Sequence, residues 1–248
     1  MEINSTAKRR SEMDALYLLD CYLKEFEAVV LDVIDDRFIA LDQTAFYPNA
    51  GGQPHDLGVL YKDDSEYPII YVRKDDDMIS HEVSCSGLAV DDHIVGKIDW
   101  DRRYLFMRSH TAGHVLSAVI HKETGALITG NQIGDARTRV DFNLKDFDRS
   151  KIALYEEKTN EIIDQNIPVD IKILPREEAL KIPSIVKLKK DLPKMEEIRV
   201  IDIVGFDAQA CGGTHVRNTS EIGHIEVVKA ENKGKNNRRI YFRLKAAN

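Results

Sequence analysis

His110 and His114, and far downstream Cys211 and His215, form two pairs with the same four-residue spacing. The first pair lies in Ser109-His110-Thr111-Ala112-Gly113-His114. In an α-helix, residues i and i+4 stand one above the other on a single face, so both imidazoles can serve one ion. The second pair lies in Cys211-Gly212-Gly213-Thr214-His215, where two adjacent glycines argue against a helix interior. It reads as a loop or strand end whose backbone can approach a crowded site. One thiolate with three imidazoles is a nitrogen/sulfur donor set that suits Zn2+ better than Mg2+ or Ca2+. An ion held by all four would pin a helix from the middle of the chain to its late strands. The plainer reading of the same residues is a buried structural thiol beside satisfied histidines.

Composition narrows the setting. The 248 residues have room for one large or two ordinary domains, and 43% apolar with 31% charged residues describes a globular chain. The three cysteines, Cys21, Cys85 and Cys211, are odd in number and far apart, so no disulfide framework or disulfide-linked partner is expected. The polar start of the chain has no signal-peptide core, and no run approaches the ~20 apolar residues of a membrane span. A soluble, cytoplasmic protein is the expectation. The net charge of −7 speaks against indiscriminate nucleic-acid binding. The C-terminal tail is nevertheless basic, with Lys229, Lys233, Lys235, Arg238, Arg239, Arg243 and Lys245.

Taken in order, residues 26–33 and 37–41 are β-like runs around Asp35-Asp36, and further short strands are expected at 58–61, 68–73, 79–83 and 92–98. Short strands with frequent turn signals predict a small β-barrel or sandwich over 14–98. Within it, Phe46-Tyr47-Pro48 and Gly51-Gly52-Gln53 mark an ordered loop. Residues 100–108 lead into the histidine helix, with Ser109 as N-cap and Gly125 as C-terminal stop. Ala112, Val115, Leu116, Val119 and Ile120 give that helix its core stripe. His121 lies roughly 10 Å along the axis from His114, too far to share an ion. Residues 130–134 read as a turn, 138–142 as a strand, and a second helix starts after Ser150. Strands at 169–174 and 198–204 and a hairpin of 222–229 with 239–244 complete residues 99–248. The fold class is therefore α+β: an N-terminal β-barrel followed by an α/β sandwich with antiparallel sheet.

The combination of Phe46-Tyr47-Pro48, Gly51-Gly52-Gln53, Arg108-Ser109-His110-Thr111-Ala112-x-His114, Cys211-Gly212-Gly213-Thr214-His215, Gly223 and Arg238-Arg239-Ile240 resembles the editing region of alanyl-tRNA synthetase. No aminoacylation domain precedes it in these residues, and a β domain comes before the histidine helix. The chain thus looks like the free-standing trans-editing AlaX proteins of medium length, over residues 14 to 245. The resemblance implies a zinc-dependent deacylase for mischarged alanine tRNA carrying serine, and also glycine. It carries the metal ligands over as His110, His114, Cys211 and His215. Thr111, Thr129, Asn131 and Gln132 are the residues expected at the aminoacyl group, with Gly51, Gly52 and Gln53 leaning over it. The sequence departs from the synthetases at Ile128-Thr129, where those enzymes tend to carry Gln-Lys.

Phosphate contacts are expected from the basic tail and from Lys187, Lys189 and Lys190. Two rivals stand beside the deacylase. One is a non-catalytic, zinc-stabilised tRNA-binding module. The other is a metallohydrolase of free esters or peptides, which lacks the H-E-x-x-H pattern.

Overall fold

The computed structural model describes residues 13–75, 78–144, 150–185, 195–234 and 236–245. Lys187, Lys189, Lys190 and Lys235 lie outside them. The chain divides into two compact units, residues 1–50 with 54–104, and residues 51–53 with 105–248.

The first unit is a closed barrel of six strands, β2 (Glu25–Ile34), β3 (Phe38–Leu41), β7 (Met78–Val83), β6 (Ser65–Asp75), β5 (Gly58–Lys62) and β8 (His93–Ile98) in spatial order. Two-residue strands β1 (Asp14–Ala15) and β4 (Gln43–Thr44) pair in parallel beside it. Alternation in β2 follows the pleat: Phe26, Ala28 and Val30 are buried while Glu25 and Glu27 are exposed. Asp35 and Asp36 sit at φ 51° and 53°, the positive-φ pair that a tight hairpin with native twist demands. The Phe26 and Phe46 rings fill the space where any Cβ on Gly96 would stand. Closure removes the sheet edges, which resolves the barrel-or-sandwich alternative in favour of the barrel.

Two buried polar groups hold this unit from inside. Arg103 and Asp56 are both fully buried; Arg103 Nε donates to Asp56 Oδ1 at 2.9 Å, and Nη2 makes a further short bond to Oδ2. Arg103 also donates to the carbonyls of Cys21 and Ala45, and Asp56 Oδ2 accepts from Tyr47 N at 2.6 Å. One ion pair therefore satisfies three backbone groups on two separate segments.

His81 is the second. Its Nδ1 donates to Ile39 O at 2.9 Å and its Nε2 accepts from Thr44 Oγ1 at 2.8 Å. Burial lowers its pKa to about 4, because the imidazolium would lose its hydration. The unfolded chain binds that proton near the ordinary 6.5, so stability falls as pH drops from about 6.5 towards 4. The loss expected from this group is ~3 kcal/mol. Urea titrations between pH 7.5 and 4.5 measure it, and His81→Gln should show a correspondingly shallower pH slope.

The second unit contains most of helix α1 (Trp100–Thr124), whose residues 100–104 belong to the first. The expected N-cap at Ser109 lies ten residues too far along: the helix begins at Trp100, and Ser109 is a buried interior residue. Asp99 provides the cap instead, its Oδ1 accepting from Arg102 N at 3.2 Å, and no glycine or proline interrupts 100–108. The helix stops as expected, with Gly125 at φ 71° and its N–H on His121 O at 2.7 Å. The apolar stripe 112, 115, 116, 119 and 120 is buried, and so are Met107 and Ala118.

Around it stand two antiparallel sheets. One has the order β14 (Ile225–Asn232), β15 (Arg238–Leu244), β10 (Thr138–Phe142), β9 (Ile128–Gln132). The other has the order β11 (Val169–Pro175), β12 (Glu197–Ile203), β13 (Asp207–Ala210). Helix α2 (Lys151–Asp164) packs against β14, and the short α3 (Arg176–Ala179) against β11 and β12. Phe242 of β15 comes to 4.0 Å from where a Cβ on Gly113 would stand, which seats that sheet on the histidine helix. The turn expected at 130–134 is largely strand: β9 is an edge strand, where glycine and polar residues are tolerated because only one side must pair. The segment expected to open the last hairpin is a 3-10 turn at Thr219–Ile222, and β14 starts only at Ile225.

Candidate metal centre

Helix α1 contributes His110 and His114, one turn apart on one face, and the loop after β13 contributes Cys211 and His215. One ligand atom from each lies within 4.8 Å of all the others. Cys211 Sγ is 3.3 Å from His215 Nε2 and 3.5 Å from His110 Nε2. A tetrahedral zinc with nitrogen and sulfur ligands sets its ligand atoms ~3.3–3.7 Å apart, so the two Cys211 separations fit such an ion.

The proton positions fit as well. Thr111 Oγ1 donates to Met107 O at 3.0 Å, so it can only accept from Val216 N and from His215 Nδ1 at 3.1 Å. His215 therefore carries its proton on Nδ1, and Nε2 faces the thiol with a lone pair. His110 Nδ1 lies 2.9 Å from Gln53 Oε1, which leaves its Nε2 in the same state. Both imidazoles are held well below their ordinary pKa, first by burial and then by the neighbouring histidines and Arg199. Neutral imidazoles are the form that binds metal.

The glycine loop is shaped for this. A Cβ on Gly213 would overlap the His110 ring, whereas Gly212 has nothing within 4 Å. Arg199 Nη1 clamps the loop by donating to Cys211 O at 2.6 Å and Gly213 O at 2.8 Å. Gly213→Ala is expected to displace His110 and weaken metal binding by roughly 10-fold or more, with Gly212→Ala unaffected. Zinc titration of the two variants against a chromophoric chelator checks this.

The remaining expected site residues are distributed unevenly. Gly51 and Gly52 have φ of 59° and 83°, and Gly52 O accepts from Ile133 N at 2.7 Å. A Cβ on Gly52 would overlap the Asn131 side chain, so these two residues touch. Register pairs Asn131 with Val140, on the sheet face that also carries buried Ile240. Gln132 pairs with Arg139 on the opposite face and is exposed. Thr129 is exposed and donates to Asn237 Oδ1 at 3.0 Å. His121 is half-buried and bonds Ala126 O at 3.0 Å, away from the cluster. Sequence reasoning gave no role to Thr214 or Arg199, since nothing local marks a residue whose partner is distant in the chain.

Of the tail cations, Lys229 and Lys233 pair with Glu231, Arg239 with Asp141, Arg243 with Glu226 and Lys245 with Glu156. Arg238 is buried, its Nη1 on Gly234 O and Asn237 O.

Comparisons with known proteins agree on the class. Residues 7–102 match the family of class II (A) tRNA synthetases, and residues 198–241 match the threonyl and alanyl tRNA synthetase second additional domain. Both matches are to domains of tRNA synthetases, one over the barrel and one in the sheet unit. The alanine–tRNA ligase of Pyrobaculum aerophilum is 38% identical over 223 residues, 87% of this chain but 25% of the ligase.

Full-length relatives are more similar. The alanyl-tRNA editing protein AlaX-M of Methanosarcina barkeri is 50% identical over 239 residues, covering 93% of this chain and 98% of that protein. AlaX-M of Saccharolobus solfataricus is 44% identical over 236 residues, 94% and 99% of the two chains. The chain belongs to the AlaX-M family of alanyl-tRNA editing proteins. No helix among the described residues is long and apolar enough to cross a membrane.

Proposed function

We propose that the protein is a cytoplasmic, ATP-independent, zinc-dependent deacylase that removes serine, and also glycine, from mischarged alanine tRNA and spares Ala-tRNA(Ala). The observation that carries this is the convergence of His110, His114, Cys211 and His215 in a chain of the AlaX-M family. The reaction is hydrolysis of an aminoacyl ester, which needs no nucleotide. Zinc held by His110, His114, Cys211 and His215 would supply Lewis-acid chemistry for the hydrolysis of such an ester. The protein's own residues do the rest: Thr111 and Gln53 fix the imidazole protons, Arg199 and Gly213 hold the loop, and Gly52 and Asn131 stand beside one another as the pocket candidates. Thr129 and Gln132 remain pocket candidates only if substrate reaches the exposed faces of β9.

Selectivity for serine over alanine follows from polar groups aimed at the extra hydroxyl. Alanine leaves such groups unpaired, and sites of that kind reject the hydroxyl-less analogue by ~10⁴–10⁵-fold. Glycine lacks the hydroxyl as alanine does, so its removal rests on a different basis. The tRNA is held through exposed tail cations; their ion pairs are surface pairs worth ~0–1 kcal/mol, so phosphates displace the carboxylates at little cost.

A closed set of four protein ligands also favours a second reading, a zinc-stabilised tRNA-binding module without turnover. Deacylation of Ser-, Gly- and Ala-charged alanine tRNA by the purified protein separates the two. The deacylase hydrolyses the seryl and glycyl esters and spares the alanyl ester. Binding of all three without hydrolysis rejects it.

A further inference from the structure

We infer that Gln53 is a positioning residue of the metal centre, fixing the tautomer of His110 and coupling the seating of residues 51–53 to metal binding. This rests on the reading of the four-residue cluster as a metal site. Gln53 is fully buried, and its amide is engaged on both sides. Oε1 accepts from His110 Nδ1 at 2.9 Å and from Thr214 N at 3.1 Å, while Nε2 donates to Thr214 Oγ1 at 2.8 Å. The two Thr214 contacts fix which end of the amide is oxygen, and that in turn requires the proton on His110 Nδ1. One side chain thus orients a ligand from the helix and braces the loop that carries the other two, Cys211 and His215.

The contact is not a chance one of a surface loop. Residues 51–53 belong by their contacts to the second unit although their chain neighbours belong to the first. Gly52 O accepts from Ile133 N at 2.7 Å, and Gly52 abuts Asn131 without room for a Cβ. At the other end, a Cβ on Gly213 would approach Gln53 Oε1 to 3.0 Å, so the loop glycine is needed for the amide to reach the ring. With its oxygen accepting from His110 Nδ1 and Thr214 N and its Nε2 donating to Thr214 Oγ1, Gln53 serves the ligands.

Two near-isosteric variants distinguish this role from packing. Gln53→Leu keeps the volume and removes the acceptor, leaving the His110 Nδ1 proton without its partner. Gln53→Glu keeps the acceptor as a carboxylate, an outer partner that raises the basicity of a metal-bound histidine. A residue that merely filled space would tolerate leucine and be harmed by a buried charge; a positioning residue shows the reverse order in metal affinity. The full-length apo chain is titrated with Co2+, followed by its thiolate charge-transfer absorption and by competition with a chelator. Apo-protein melting is recorded alongside.

Gln53→Leu is expected to weaken Co2+ binding by about 10–100-fold and Gln53→Glu to bind as tightly as wild type or more so, even if its apo form melts earlier. Leucine binding like wild type, or glutamate weaker than leucine, overturns the inference and leaves the metal reading intact. A wild-type chain that takes up no Co2+ overturns the metal reading and this inference together.

Discussion

Asp56→Ala is expected to destabilise the first unit by about 3–5 kcal/mol, the cost of leaving one partner of a buried ion pair unpaired. Arg103 would keep its bonds to Cys21 O and Ala45 O but lose its counter-charge, and Tyr47 N would lose its acceptor. For a unit of this size, with total stability of ~5–15 kcal/mol, that approaches the limit of folding at ordinary temperatures. Trp100, the sole tryptophan, belongs to the same unit and stacks on Tyr104, so its fluorescence reports urea unfolding. Arg103→Met should cost as much or more, because it strips three partners at once. The double variant should be less damaging than the sum of the two, since neither charge is then left alone. Strict additivity would mean that the pair is not the unit that stabilises this barrel.

Cys211→Ala is the second large effect. It removes the sole sulfur of the cluster, the donor that lies 3.3 Å and 3.5 Å from two of the imidazole nitrogens. Metal content at equal zinc should fall well below one per chain. Deacylation should fall by ~10²–10³-fold, since Lewis-acid assistance is worth several kcal/mol and each 1.36 kcal/mol is tenfold in rate. Cys85→Ala, at an exposed thiol on Glu66 O, should change neither quantity. Elemental analysis and a deacylation time course on the same preparations read both. Loss of activity with full metal content would mean that Cys211 acts on the substrate and not through the metal.

Much of this architecture is legible in the sequence where the signal is local. Strand alternation in β2, the Asp35-Asp36 turn, the Gly125 stop and the spacing of the four donors are written over a few adjacent residues. What is not legible depends on distant partners. The helix start moves from Ser109 to Trp100 because both Ser109 and Asp99 are acceptable caps, and the absence of a breaker between them leaves the choice to packing. Strand β9 hides behind glycine and asparagine because an edge strand needs only β10 to hold it. The bonds of Gln53 to His110, Arg103 to Asp56 and Arg199 to the glycine loop join residues whose own neighbourhoods give no hint of one another.

Deacylation of Ser-tRNA(Ala) beside Ala-tRNA(Ala), by the wild-type chain stripped of metal and then restored with zinc, decides whether the protein is a zinc-dependent deacylase. The stripped protein is expected to be inactive on both esters, and seryl hydrolysis to return in proportion to zinc up to one ion per chain, with the alanyl ester spared. Full seryl hydrolysis by protein shown to hold no metal would contradict this, as would a zinc-replete chain that leaves the seryl ester intact.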